Sequence, residues 1–304
     1  MLVAATILAQ CAHMSEPLDP EKAQTMSPLP WPSGTPVPAP AMPGEADDPG
    51  VDLLEAGYVP PDPDETPGIE LWRLPENGPP FVTLLLLFAW AAPFALLAAR
   101  GQGDDTHAFI AHGANVTQRF GADAALRWVA STFLHAGPSH VFFNAVTLLM
   151  FGPGVERLFR RSSMLVLLAA GGATASAASF AWRLARHGVG ADLSVGGSGV
   201  LFALGGALLA AAWRLRGRLA VGRARALAAA VLFLAAQAYV GGFQHLGTDN
   251  IAHTGGLLAG IVLGLALPLD PALSGKPATR GATVLGAAAA LVLLAGFARA
   301  LIER

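Results

Sequence analysis

The chain has 304 residues, of which 53% are hydrophobic and only 13% are charged. Because soluble domains carry about 25% charged residues, this composition excludes a protein that is soluble throughout its length. The single cysteine, Cys11, excludes a disulfide framework and any zinc site built from several cysteines.

The first 80 residues differ sharply from the rest of the chain. Residues 1–80 hold 13 acidic and 2 basic side chains and 17 of the 23 prolines, whereas residues 81–304 hold 8 acidic and 17 basic side chains. An acidic, proline-rich segment of this kind cannot bury enough apolar surface to offset its ordering entropy. We therefore predict a disordered tail at 1–80, followed by a membrane domain.

Seven apolar segments approach the roughly 20 residues that a membrane-spanning helix needs. They are residues 81–99, 139–154, 162–182, 196–213, 227–242, 251–269 and 282–301. The second, fourth and fifth are short and contain glycine or polar residues, which is typical of helices buried against other helices. The pattern predicts an all-α polytopic membrane protein.

The basic residues of the short loops indicate an orientation, because such residues concentrate on the cytoplasmic side. The loops after spans two, four and six contain Arg157, Arg160, Arg161, Arg214, Arg216, Arg218, Arg223, Arg225, Lys276 and Arg280. The opposite loops are sparser, with Arg119, Arg127, Arg183 and Arg186. We therefore expect a cytoplasmic N-terminal tail, an external C-terminus, and spans four and six that both start in the outer leaflet.

Span four begins with a serine between glycines, in the order Gly196, Gly197, Ser198, Gly199. The glycines allow a tight turn and close approach of another helix. A serine at a helix N-terminus lies among free backbone N–H groups, where the helix dipole favours developing negative charge. Taken alone, the motif more often indicates a serine cap with glycines for packing.

Span six begins with His253 and continues with glycines at four-residue spacing, Gly256, Gly260 and Gly264. Small residues at this spacing let a second backbone approach closely. Contact between spans four and six would bring His253 within hydrogen-bond distance of Ser198. A serine hydroxyl beside an imidazole is the smallest set of groups that can carry out nucleophilic hydrolysis.

The neighbours of this pair leave two questions open. Asp249 is expected in the preceding loop, so we predict a serine–histidine dyad rather than a triad. Phe202 lies one turn after Ser198 on the same helix face. It either packs on the ring of His253 or belongs simply to the core.

A third polar element opens span two, in the stretch LHAGPSHVFFN. His140 and Asn144 are four residues apart, hence on one helix face, and both can donate hydrogen bonds to an oxyanion. Together with His135, Ser139 and Gln244 they are expected to line a cavity open to the outside. Taken alone, these residues are equally an interfacial polar patch.

These elements together resemble the rhomboid family of intramembrane serine proteases over roughly residues 80–270. The matching stretches are LHAGPSH at 134–140 with Asn144, FGPGVE at 151–156, VGGSGVLFALG at 195–205 and DNIAHTGGLLAG at 249–260. The resemblance implies Ser198 as nucleophile, His253 as general base, and an oxyanion hole of His140, Asn144 and the Ser198 amide. The supporting residues would be Gly196, Gly197, Gly199, Phe202, Gly256 and His135.

The resemblance also implies an architecture and an activity. Residues 81–270 would form a six-helix catalytic core, and residues 271–304 a linker and one further C-terminal transmembrane helix (6+1). The protein would be a serine endopeptidase of a bacterial inner or plasma membrane that cuts transmembrane protein substrates near the outer leaflet. No cofactor, metal or nucleic-acid partner is expected, and the oligomeric state is not predicted.

Two departures from the family pattern limit what is transferred. The first outer loop often carries Trp-Arg in the family, whereas here Arg127 precedes Trp128, so that role is not assigned. Some relatives have tyrosine at the position of Phe202, and the hydroxyl is absent here.

Other functions remain as alternatives. The main one is a catalytically silent rhomboid-like protein that binds membrane clients. Strings typical of intramembrane aspartyl proteases occur at 101–104 and 271–273, but both lie in hydrophilic loops. No HExxH motif of a membrane zinc protease occurs, and spans three and seven lack the midplane charges typical of a transporter.

Overall fold

The structure is a computed structural model that describes residues 79–190, 192–216, 248–274 and 280–303, together with positions 229, 231, 232 and 236. The predicted tail, apart from its last two residues, lies outside this part. So does the predicted span at 227–242, apart from the four single positions. The described residues are overwhelmingly helical, which confirms the predicted all-α polytopic membrane fold.

The main elements of the described residues are nine helices and one short strand pair, with a 3₁₀ turn at Ser131–Phe133. The helices are α1 (Phe81–Ala99), α2 (Thr106–Ala111), α3 (Gly121–Ala130), α4 (Pro138–Leu158), α5 (Arg161–His187), α6 (Ser198–Arg214), α7 (Asn250–Ala266), α8 (Pro271–Ser274) and α9 (Arg280–Leu301). The antiparallel strands are β1 (Asn115–Val116) and β2 (Leu193–Ser194). Helices α1, α5 and α9 are long and apolar enough to cross a membrane, and α6 and α7 are shorter apolar helices.

The connections between helices gather at two ends of the molecule. At one end, called here the site end, β1 pairs with β2, and Nδ1 of His112 lies 2.9 Å from the carbonyl oxygen of Ala300. At the opposite end Phe159 bridges to Leu269. Helices α6 and α7 both begin at the site end, so Ser198 and His253 lie at similar depth.

Helices α6 and α7 pack backbone against backbone. A methyl group added at Gly256 would collide with the carbonyl oxygen of Gly199, and one added at Gly260 would collide with that of Ala203. Only glycine permits this approach, because it has no Cβ atom. The predicted stripe of small residues is therefore the contact surface between these two helices.

Two buried arginines hold the long connection between α1 and α4 at the site end. Arg127 donates from Nε to Asp123 at 2.9 Å, and from Nη1 to the carbonyl oxygens of Ile110 and Ala114 at 2.7 and 3.2 Å. Arg299 of α9 donates to the carbonyl oxygen of Ala111 at 2.6 Å. Arg127, treated in the sequence as an ordinary loop charge, is in fact a buried structural residue.

Glu156 caps α1 at the opposite end. Its carboxylate accepts hydrogen bonds from the backbone N–H groups of Val82 and Thr83 at 3.0 and 3.1 Å, and from the Thr83 hydroxyl at 3.0 Å. The first N–H groups of a helix have no intrahelical partner, so a buried carboxylate there stabilises the helix start. Glu156 thereby fixes α1 against α4, the helix that carries His140 and Asn144.

Candidate active site

Ser198 is the first residue of α6 and follows a turn that requires glycine. Gly196 has φ of 130°, and its N–H donates to the carbonyl oxygen of Ser131 at 2.9 Å. A methyl group on Gly196 would lie 2.6 Å from the ring of His140, and one on Gly197 would collide with the indole of Trp90. The turn thus holds the hydroxyl of Ser198 at the free N-terminus of α6.

His253 lies on the first turn of α7 and faces Ser198. Its Nε2 atom is 2.9 Å from Oγ of Ser198, within hydrogen-bond distance. One face of its ring stacks on Phe202, with centroids 4.3 Å apart and planes inclined by only 10°. An imidazole held in this way can accept the proton of the serine hydroxyl and so activate it as a nucleophile.

A cavity of about 1120 Å³ opens beside this pair. Its wall includes His140, Asn144, Ser198 and His253. The Nδ2 atom of Asn144 is buried and has no hydrogen-bond partner among the residues that the structure describes. A buried donor is costly to leave unpaired, so Asn144 is available to donate to an oxygen atom bound in the cavity.

His135 lies behind the cavity wall rather than in it, which corrects the expectation from the sequence. Its Nε2 atom accepts a hydrogen bond from the N–H of Gly197 at 3.3 Å, and its ring meets Trp90 edge-on with centroids 5.3 Å apart. His135 therefore supports the turn before Ser198. Of the other predicted lining residues, Ser139 is exposed and Gln244 lies outside the described residues.

Asp249 contributes more than the sequence indicated. Its Oδ1 atom accepts the N–H of Ala252 at 2.9 Å, and its Oδ2 atom accepts the hydroxyls of Ser194, at 2.7 Å, and Ser179. An Asp directly before an apolar helix is a recognisable N-cap signal. Its bonds to Ser179 and Ser194 are not predictable locally, because these residues are 70 and 55 positions away.

Comparison with known proteins places the site residues inside a matched region. Residues 122–269 match the family model described as "Rhomboid domain". The chain is 30% identical over 222 residues to Rhomboid protease GluP of Bacillus subtilis (strain 168), covering 73% of this chain and 41% of that protein.

Two plant proteins are similar over shorter regions. The chain is 30% identical over 164 residues to RHOMBOID-like protein 4 of Arabidopsis thaliana, covering 52% of this chain and 38% of that protein. It is 31% identical over 153 residues to RHOMBOID-like protein 5 of the same plant, covering 48% and 45%. The chain thus spans less than half the length of these three relatives.

Proposed function

The chain belongs to the rhomboid family of integral membrane proteins, and from this premise we propose that it is an intramembrane serine endopeptidase. Its substrates would be transmembrane segments of other membrane proteins, cut near the outer leaflet. The observation that carries the proposal is the 2.9 Å contact between Oγ of Ser198 and Nε2 of His253.

The proposed reaction starts when Nε2 of His253 takes the proton from Ser198 and Oγ attacks the scissile carbonyl carbon. The protonated imidazole then gives this proton to the leaving amine, and an acyl-enzyme remains on Ser198. In the second half His253 removes a proton from water, the hydroxide attacks the acyl group, and the serine hydroxyl is restored. One imidazole therefore serves as base and acid in turn, without a cofactor.

The oxyanion of each tetrahedral intermediate needs hydrogen-bond donors that are already in place. The proposed donors are the backbone N–H of Ser198, the ring of His140 and the Nδ2 atom of Asn144. Nδ2 of Asn144 has no partner among the residues that the structure describes, which supports this role, and the N-terminus of α6 adds the favourable end of a helix dipole.

The position of the cavity supports a membrane-embedded substrate. The site lies at the N-termini of two apolar helices, which supports a location near one membrane surface rather than at the midplane. A substrate helix must unwind locally before a backbone carbonyl can reach Ser198, which is easiest near the membrane surface, where water can satisfy the freed backbone groups. The basic loops of the sequence support the proposal that this surface is the outer one.

The proposal is tested by incubating the purified full-length protein in liposomes with a set of single-span reporter proteins. We expect cleavage by the wild type and none by Ser198→Ala or His253→Ala. Ser162→Ala and His107→Ala serve as matched controls, because Ser162 lies at the opposite end and His107 is exposed on α2. Cleavage that persists in Ser198→Ala would contradict the assignment.

The alternative is a silent protein that binds membrane clients without cutting them. It predicts that wild type and both variants leave every reporter intact while still associating with membrane proteins in the same liposomes. Binding without cleavage does not require the hydrogen-bond contact between Ser198 and His253 beside a buried amide that has no partner among the described residues.

A further inference from the structure

We propose that Asp249 is a positioning residue for Ser198 and His253, acting by fixing α7 against the segment that carries Ser198. This inference rests on the function proposed above. Its test includes a measurement that requires no proteolysis, so that the two proposals can fail separately.

Asp249 determines where α7 begins. Its Oδ1 atom accepts the N–H of Ala252 at 2.9 Å, and its own carbonyl oxygen accepts the N–H of His253 at 3.1 Å. The residue is thus the N-cap of the helix whose first turn holds the imidazole.

The second carboxylate oxygen of Asp249 ties this helix start to two other segments. It accepts the hydroxyl of Ser194, which lies on β2 four residues before Ser198, at 2.7 Å. It also accepts the hydroxyl of the buried Ser179 on α5, and Nε of Arg183 in turn donates to that hydroxyl at 3.2 Å. One carboxylate therefore links α5, the segment leading to Ser198 and the helix that carries His253.

The contact surface between α6 and α7 explains why such a link is needed. Over most of their contact the glycines of α7, Gly256 and Gly260, lie directly against backbone atoms of α6. At the opposite end Nη1 of Arg214 holds α7 through the carbonyl oxygens of Gly264 and Leu267, at 2.8 and 2.7 Å. At the site end Asp249 provides the equivalent polar attachment, one turn from His253.

The position of His253 relative to Ser198 must be held precisely. An axial shift of α7 by the rise of one residue would move His253 by about 1.5 Å, about half of its 2.9 Å distance from Ser198. A misplacement of about 1 Å can lower the rate of a catalysed reaction about 100-fold. The carboxylate thus acts on the reaction through the position of the helix.

The kinetic test compares Asp249→Ala, Asp249→Asn and Ser194→Ala in the full-length protein in liposomes. We expect Asp249→Ala to lower kcat about 100-fold while KM changes less than about twofold. Asn caps helices about as well as Asp, so Asp249→Asn should keep the thermal midpoint while kcat falls. Ser194→Ala leaves the cap intact and should also lower kcat.

Asp105→Ala is the matched control, because Asp105 caps a different helix, α2, by accepting the N–H of His107. This variant should leave kcat unchanged.

If Asp249 acts only as the N-cap of α7, the kinetic and thermal measurements give a different result. In that case Asp249→Ala lowers the thermal midpoint, while kcat per folded molecule stays at the wild-type value in Asp249→Ala, Asp249→Asn and Ser194→Ala. This result overturns the proposal.

The second measurement uses a thiol at position 198 and needs no substrate. In a Cys11→Ser, Ser198→Cys background, His253 should take the thiol proton and speed alkylation by iodoacetamide at pH 7. We expect Asp249→Ala to slow alkylation as much as His253→Ala does, and Asp105→Ala to leave it unchanged. If this holds while the wild type cuts no reporter, the positioning role stands and the proposed function fails. Equal alkylation rates in all these variants overturn the positioning role.

Discussion

The imidazole of His253 is held from two directions, through Nε2 by Ser198 and through one ring face by Phe202. His253 as a whole is only 4% exposed, so both contacts are largely shielded from bulk water. Phe202 lies one turn after Ser198 on α6, and the same helix therefore presents both groups to His253. The stacked geometry favours a role for Phe202 in orienting the ring over the alternative of simple core packing.

We expect Phe202→Ala to lower kcat about two- to tenfold, because an aromatic contact of this kind is worth about 0.5–1.5 kcal/mol and about 1.4 kcal/mol corresponds to tenfold in rate. Phe202→Tyr keeps the ring and should keep most of the activity. Steady-state cleavage of a reporter measures both variants, and an unchanged kcat in Phe202→Ala would assign the residue to packing alone.

Substitution of Asn144 tests the proposed oxyanion hole most directly. Its Nδ2 atom is unpaired among the described residues and its side chain lies in the cavity wall. We expect Asn144→Ala to lower kcat about 100- to 1000-fold with KM nearly constant, as for other single oxyanion donors. Thr147→Ala, also in the cavity wall, is the control. Similar small effects of both variants would contradict the assignment.

At the scale of elements, the contact between α6 and α7 determines whether the serine and the imidazole meet. Gly256 and Gly260 face backbone carbonyl groups that cannot move aside as a flexible side chain would. Separation of these helices, even by the width of a methyl group, would pull His253 away from Ser198.

We therefore expect Gly260→Ala to lower both the thermal midpoint and kcat. Gly281→Ala on α9 is the matched control, because a methyl group there meets no atom within 4 Å. In that open helical position alanine should be neutral, or stabilising by up to about 1 kcal/mol. Thermal unfolding in detergent and reporter cleavage are measured for both variants. The same thermal midpoint and kcat in Gly260→Ala and Gly281→Ala would show that α6 and α7 do not pack as described.

The elements differ in how far the sequence predicts them. Long apolar runs predict their own helices, so Phe81–Ala99 is anticipated to the residue and α4, α5, α6, α7 and α9 to within about five residues at either end. The strands β1 and β2 and the helices α2 and α3 are not anticipated. They are held by distant partners, such as Asn115 paired with Ser194 and the buried Arg127, which no local pattern reveals.

The features of the candidate site also differ in how far the sequence predicts them. The positions of Ser198, His253, His140 and Asn144 follow from motif spacing and helix direction, and their roles stay predictions. The support given by Trp90 to Gly197, and by Asp249 to Ser194, depends on contacts between segments far apart in sequence.

At the scale of the molecule, the C-terminal end of α9 packs against the site end of the described structure. Arg299 is buried and donates to Ala111, and His112 contacts the carbonyl oxygen of Ala300. The last helix therefore fixes the connection between α1 and α4, at a distance in sequence from every proposed catalytic group.

We expect Arg299→Ala to destabilise the protein by about 1.5–3 kcal/mol, the range for hydrogen bonds made by charged groups, with little change in kcat per folded molecule. Thermal unfolding and reporter cleavage at a temperature well below the midpoint separate the two effects. A large fall in kcat at full folding would instead give α9 a direct part in catalysis.

His253 is proposed to activate Ser198 as a nucleophile, and reaction with a serine-directed fluorophosphonate tests this activation without any assumption about substrate. The measurement is the rate of adduct formation on the full-length protein, with the modified residue identified by peptide mass spectrometry. We expect a single adduct on Ser198, absent in Ser198→Ala and strongly slowed in His253→Ala. An unmodified Ser198, or an adduct that forms equally fast without His253, would contradict it.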